Sequence, residues 1–267
     1  MATTITVLSQ KGGTGKTTTV RTLADAFRRA GLSVLCVDLD PQGNLSDYFD
    51  VPPDASPTVA DVLGGQARAV DAVHDGILPA NLGLAETELV LSGKMGRELT
   101  LKRGLREIRR SYDLVIVDCP PALGLLTVNA LVAADHAMIS SEAEYFSLQG
   151  VEQALEVVDL AKDSLHPDLN WLGVVLNIAD MRLVHARDAL RSLREQFGDK
   201  VFDTVIRRSV RYAESSERGV SILDYAPDLG ADYLALGAEV LERLSEFDDA
   251  RERLRSAASS ATIASSS

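Results

Sequence analysis

The chain has 267 residues, 46% hydrophobic and only 5% aromatic, which supplies an aliphatic core for one large α/β domain or two small ones. Its two cysteines, Cys36 and Cys119, both stand inside apolar runs and exclude a disulfide framework or a cysteine metal centre. A net charge of −12 argues against a uniformly basic nucleic-acid binder, and no apolar run approaches the ~20 residues of a membrane-spanning helix.

In chain order, the first apolar run, Ile5 to Leu8, leads into Lys11-Gly12-Gly13-Thr14-Gly15-Lys16-Thr17-Thr18, and a helical pattern follows from Val20 to Arg29. Strand, glycine-rich loop and helix bring backbone N–H groups and a helix N-terminus together on a phosphate. The glycines let the backbone close round the anion, Lys16 reaches the β- and γ-phosphates, and the Thr17 hydroxyl faces Mg²⁺. Further apolar runs at 33–39, 113–118, 136–139 and 172–177 read as strands buried on both faces. Amphipathic stretches at 97–110, 148–164, 183–196 and 232–246 read as helices between and after them. Segment 51–96, with Pro52-Pro53, Gly64-Gly65 and Gly93, predicts short helices and a strand near Leu82 to Ala85. The alternation predicts an α/β fold: a mostly parallel twisted sheet with helices on both faces, and ligands at the carboxyl ends of the strands. Residues 1–247 are expected to form a single domain, and the Ser/Ala-rich segment 248–267 a disordered tail.

Carboxylates close several strand runs. Asp40 follows the run 34–39 and falls at the mouth of the sheet beside the phosphate loop. Asp38 points the same way and could contact Mg²⁺ through water, while Asp118 ends Leu114 to Val117 as a holder of Mg²⁺ or its bound water. Between Arg182 and Arg218, nine basic residues face six acidic ones, so this window is locally positive on an acidic chain. Arg187, Arg191 and Arg194 recur at spacings of four and three, which places them on one face of a helix.

The loop with its early second lysine resembles the deviant Walker A box of the ParA/MinD class of P-loop ATPases, although Gln10 stands where the usual pattern has glycine. The likeness continues through Val34 to Asn44, Tyr112 to Pro121 and Glu144 to Gly150, and Phe197 to Phe202 and Val210 to Glu214 resemble the ParA/Soj branch. The resemblance implies ATP and Mg²⁺ as cofactors and Lys11, Lys16 and Asp40 as catalytic residues. Lys11 would cross to the nucleotide of a second subunit, and Asp40 would position the attacking water. Asn177 would read the adenine edge, while Glu144 and Tyr145 would form a switch that responds to the γ-phosphate.

It further implies a slow ATPase that forms a homodimer with ATP and binds non-specific double-stranded DNA through Arg187, Arg191 and Arg218. An activating partner, ParB-like or a cargo adaptor, would stimulate hydrolysis, and the protein would work in the cytoplasm on the nucleoid, with no membrane partner. The first strand begins within a few residues of the N-terminus, which leaves no room for a signal peptide. A MinD-like membrane ATPase is the alternative, but Ala257 to Ile263 lacks the apolar face of a membrane-binding helix. A tyrosine kinase of the same fold would carry a tyrosine-rich tail, and none follows Tyr233; an iron–sulfur carrier would need paired cysteines between subunits.

Departures from the family pattern include Ser140 and Glu142 for a proline and a glutamine, Arg207 and Ser209 for a proline and an asparagine, and Ser216 and Arg218 for a proline and a histidine. They are expected on the cargo- and DNA-facing surface, away from the nucleotide loop.

Overall fold

The computed structural model describes residues 1–144 and 147–265, with side chains to 263. Seven strands form one sheet: β1 (Thr3–Leu8), β2 (Val34–Asp38), β3 (Ile77–Leu78), β4 (Leu114–Asp118), β5 (His136–Glu142), β6 (Asn170–Ala179) and β7 (Val201–Arg207). Their order is β3-β2-β4-β1-β5-β6-β7, and every pairing is parallel. β1 therefore lies in the middle of the sheet, between β4 and β5, where the chain reverses direction across the sheet. A loop leaving its carboxyl end opens into the crevice that such a reversal creates.

Alternation along the strands divides the core in two. Leu8, Leu35, Val37, Val115, Val117, Ile139 and Leu176 face one layer, made by α3 (Val59–Gly64), α4 (Ala69–Ala72), α5 (Gly83–Ser92), α6 (Thr100–Leu105), α7 (Leu125–Ala133), α8 (Ser147–Ser164) and α9 (Val184–Phe197). Ile5, Val7, Cys36, Ile116, Met138 and Val175 face the other, made chiefly by α1 (Lys16–Arg29), α11 (Ile222–Tyr225), α12 (Pro227–Leu244) and α13 (Asp248–Ser265). Two short helices, α2 (Asn44–Tyr48) and α10 (Arg211–Glu217), flank the carboxyl edge. Fully burying a side chain such as Phe27 or Leu23 of α1 contributes about 1.5–3 kcal/mol. That packing holds α1, and so the loop before it, rigidly against the sheet.

Two expectations need correction, and one strand left no signal in the sequence. No strand forms near Leu82 to Ala85; β3 is earlier, at Ile77–Leu78, and Gly83–Ser92 is helical. The two-residue strand is too short to leave a periodic signal. β7 had no clear signal either, because Asp203, Thr204 and Arg207 break up its apolar residues at the open edge of the sheet.

The second correction concerns the tail: Asp248–Ser265 is an α-helix. Its Ala250 and Leu254 are buried against α12 and α1, and the lack of a side chain at Gly237 leaves room for Leu254, which would come within 3.2 Å of a Cβ there. Arg253 donates to the Ala30 carbonyl at the end of α1, and Arg255 pairs with Glu242. Composition hid this helix because two apolar residues and two arginines suffice to dock it.

Candidate nucleotide site

The loop between β1 and α1 is held by its own hydroxyls. Ser9, at the end of β1, donates to the Lys11 carbonyl and accepts from Thr14 Oγ1 and Lys16 Nζ at 2.9 and 3.0 Å. Gly13 and Gly15 have φ of +80° and +81°, a region that L side chains avoid, so the turn requires glycine at both. Gly15 caps α1, and the N–H groups of the first turn open into a cavity of about 830 Å³ lined by Gly12, Gly13, Lys16, Thr17, Thr18 and Asp40.

Lys16 is 6% exposed, and burial pulls its ammonium below the usual lysine range despite the nearby Asp118 and Asp40 carboxylates; its hydrogen-bond partners among the described residues are the Ser9 hydroxyl and the Lys11 carbonyl. A buried cation with no direct ion pair calls for an anion. Opposite it, Thr17 Oγ1 donates to Asp118 Oδ2 at 2.7 Å. The other oxygen, Oδ1, is buried with no hydrogen-bond partner among the described residues. Burial and the neighbouring Asp38 push the Asp118 carboxyl well above its usual range. Hydroxyl and orphaned carboxylate oxygen together fit a hydrated Mg²⁺ held partly by phosphate oxygens. No three His, Cys, Asp or Glu side chains among the described residues converge as a metal site in their own right.

Asp38 lies beside Asp118 in register on the neighbouring strand, but its carboxylate serves the chain itself. Oδ1 accepts from the Asp40 N–H, while Oδ2 accepts from both the N–H and hydroxyl of Ser46. Burial raises its pKa to about 6. These bonds assign Asp38 to fixing the turn that carries Asp40, and leave Asp118 as the acid with a free oxygen. Asp40 is half-buried, accepts from the Gln42 N–H and lines the cavity.

Lys11 behaves differently from Lys16. Its side chain is 62% exposed and turned from its own loop onto Glu144 Oε2 at 2.6 Å and Glu142 Oε2 at 3.5 Å. The hydrogen bond it donates to Glu144 raises its pKa. Tyr145, the other anticipated switch residue, lies outside the described residues.

Asn177 is buried beneath the loop, with its side-chain amide 3.4 Å from where a Cβ on Gly15 would stand. Nδ2 donates to Ser140 Oγ at 2.6 Å and Thr19 Oγ1 at 3.2 Å. Its amide N–H groups thus brace the loop, while its Oδ1 is buried with no hydrogen-bond partner among the described residues and the side chain borders the same cavity. The rest of the cavity wall on that side is formed by Ile206, Ser209, Val210, Tyr212 and Ala213.

Several departures from the family pattern belong to this same site, not to a distant surface. Ser140 is buried and donates to the Thr14 carbonyl at 2.7 Å, replacing the shape of a proline with a hydrogen bond to the loop. Glu142 is a Lys11 partner, while Arg207, Ser209 and Ser216 line the cavity. Sequence reasoning also missed Arg21, a buried guanidinium stacked 4.4 Å from the Tyr48 ring and donating to Ser215 Oγ and the Tyr212 carbonyl. It ties α1 to α10 through a residue that periodicity alone assigns to a solvent face.

The candidate DNA residues are exposed but unevenly available. Arg187 donates to the carbonyls of Met181 and Arg182, and Arg191 pairs with Asp188 at 2.5 Å. Arg194 pairs with Asp203, and Arg218 lies over the Tyr225 ring at 5.1 Å. Arg187, Arg191 and Arg194 do share one exposed face of α9.

A family model described as an AAA domain matches residues 2–171. The sporulation initiation inhibitor protein Soj of Bacillus subtilis is 39% identical over 245 residues, covering 88% of this chain and 97% of Soj. The chromosome partitioning protein ParA of Myxococcus xanthus is 36% identical over 248 residues, covering 90% and 88%. Among solved structures, cobyrinic acid a,c-diamide synthase from Mycobacterium smegmatis with bound ADP and magnesium superposes with a TM-score of 0.74 at 36% identity. That match covers 81% of this chain and 93% of the synthase.

Proposed function

Since the chain belongs to the ParA/Soj branch of the ParA/MinD P-loop ATPases, we propose that it is a positioning ATPase that closes into a homodimer with ATP and Mg²⁺ and then binds DNA without sequence preference. Lys16, Thr17 and the loop amides would hold the β- and γ-phosphates, and Thr17 with Asp118 would hold Mg²⁺. Bound there, the metal supplies charge neutralisation between phosphate oxygens. Asp40, fixed by Asp38 and half-open to the cavity, orients the attacking water. Asn177 and Ser140 keep the loop in shape beneath the nucleotide.

The observation that carries the dimeric reading is the contrast between the two lysines. Lys16 is buried in its own cradle, whereas Lys11 is exposed at the rim and engaged by two carboxylates on the far side. A cation so placed is positioned to serve a phosphate outside its own subunit, where it offsets charge that develops during transfer. The γ-phosphate then acts as the ligand that distinguishes open from closed states. A partner protein stimulates turnover and resets the switch. The cargo is DNA or a protein assembly moved over the nucleoid in the cytoplasm. The alternative of a membrane surface is weaker, because Ala250 and Leu254 of α13 are turned into the core and, among its described residues, Ile263 alone of the large apolar ones is exposed, too little for an apolar face.

Titration calorimetry with ATP and Mg²⁺ tests the division of labour. Lys16→Ala should lose ATP binding, and Lys11→Ala should retain it. Equal loss in both variants would place Lys11 in the cis cradle and remove the basis for the dimer.

A further inference from the structure

The opposite end of the sheet carries a second feature that the nucleotide chemistry does not use. The carboxyl end of α3, α4, α6 and the 3-10 turn Ile108–Ser111 enclose an open cavity of about 540 Å³. Its rim carries Arg68, Arg103, Arg106 and Arg110, and the only acid in its lining, Glu107, is paired with Arg68 at 3.1 Å. Val62, Leu63 and Ala69 form a buried apolar floor, and Val70 is 48% exposed beside them. The 3-10 turn leads directly into the start of β4, whose far end is Asp118, so this groove adjoins the end of the strand away from the phosphate loop, a strand about 16 Å long.

The pairing pattern of the arginines marks this groove as unusual. The chain holds 39 carboxylates, and nearly every arginine among the described residues has an ion pair, a hydrogen bond from its side chain or an aromatic ring beneath it. Four have none of these: Arg208, at the nucleotide cavity, and Arg103, Arg106 and Arg110, which share one groove. Three guanidiniums close together repel one another, and an acid-rich chain could have neutralised them. Leaving them unpaired beside an apolar floor forms a recognition surface for anionic groups flanking a hydrophobic one.

We propose that this groove binds an acidic peptide segment of a partner protein, with glutamates or aspartates on Arg103, Arg106 and Arg110 and an apolar side chain against Val70 and the floor. A nucleic-acid backbone fits less well: Glu107 stands in the wall, and an apolar floor offers nothing to a phosphate track. The groove is remote from the nucleotide site, so the segment binds whether or not ATP is present and could tether a partner to either state of the switch.

The test is fluorescence anisotropy of a labelled peptide of Glu-Glu-Leu repeats, titrated with the full chain at low salt, with and without ATP and Mg²⁺. Saturable binding is expected, unchanged by nucleotide, and reduced about tenfold or more by Arg106→Glu combined with Arg110→Glu. Arg106→Gln with Arg110→Gln, which adds no new charge, should weaken binding in the same direction and covers any loss of folding in the reversed variant. Arg187→Glu, at the other edge, should leave the peptide affinity unchanged, and a polyglutamate peptide without leucine should bind several-fold more weakly. Absence of saturable binding, or binding that both groove variants leave intact, overturns the proposal. Displacement of the peptide by a short mixed-sequence duplex more effectively than by unlabelled peptide also overturns it, and assigns the groove to nucleic acid.

Discussion

In the phosphate loop the key side chains are largely buried and held both within the loop and from neighbouring strands, whereas the arginines of α9 are exposed and meet chiefly near neighbours in sequence. Ser9 binds Lys16, Thr17 binds Asp118 across the sheet, and Asn177 and Ser140 brace the loop from β6 and β5. Along α9, Arg187 bonds to carbonyls just before the helix and Arg191 to an aspartate one turn away. The first region fixes geometry by burial, at a cost in apo stability that a bound anion and metal relieve. The second offers only charge, screened by solvent and by its own acids. Chemistry that needs ångström placement is built the first way, and a sequence-blind hold on a polyanion can be built the second way.

The largest effect should come from Lys16→Ala. Charge-assisted hydrogen bonds contribute about 1.5–3 kcal/mol each, so losing two would weaken ATP binding roughly 100-fold or more in calorimetry. Because burial already disfavours the Lys16 ammonium, the same variant should leave the nucleotide-free protein no less stable.

Asp118→Asn should separate stability from function. The folded-state pKa of Asp118 is raised, so the native protein binds this proton more tightly than the unfolded chain does. Its contribution is therefore most favourable below the unfolded value near 4 and is lost as pH rises through the folded value. Asp38, raised to about 6, acts in the same direction. Urea denaturation without nucleotide should show the variant about 1–3 kcal/mol more stable than wild type at pH 8, with the gain shrinking toward pH 4. The same substitution should remove the Mg²⁺ dependence of ATP binding.

Gly15→Ala tests the loop by backbone alone. An L side chain at φ +81° costs about 1–2 kcal/mol, and its Cβ would sit 3.4 Å from Asn177, so thermal denaturation should show a lower melting temperature.

The smallest effects belong to α9. Arg187→Glu should weaken ATP-dependent retention of mixed-sequence duplex several-fold and lower the slope of log affinity against log salt by about one for each phosphate no longer neutralised. Arg191→Glu should have less effect, since Asp188 already offsets that charge. Equal, large losses in both would mean that the helix face is a structured site like the loop.

The same contrast explains what could be read from the chain. Strands buried on both faces leave continuous apolar runs, so β1, β2, β4, β5 and β6 were legible, as was the loop that β1 feeds. β7, at an open edge, and β3, of two residues, leave no such run. The place of Ser140 could not be read because it depends on which strands lie adjacent: β5 and β6 pair, and Ser140 meets both the Thr14 carbonyl of the loop and Asn177 of β6. Helix α13 was missed because its docking rests on a notch at Gly237, sequence-distant from Leu254.

The central claim, that ATP closes two chains through Lys11, is tested most directly by light scattering of the Asp40→Ala and Lys11→Ala variants with ATP and Mg²⁺. Asp40→Ala, which keeps its nucleotide, should double in mass from the 28.7 kDa of one chain with ATP but not with ADP, while Lys11→Ala should stay at the mass of one chain. A doubled mass for Lys11→Ala, or an Asp40→Ala variant that stays monomeric with ATP, would contradict the account.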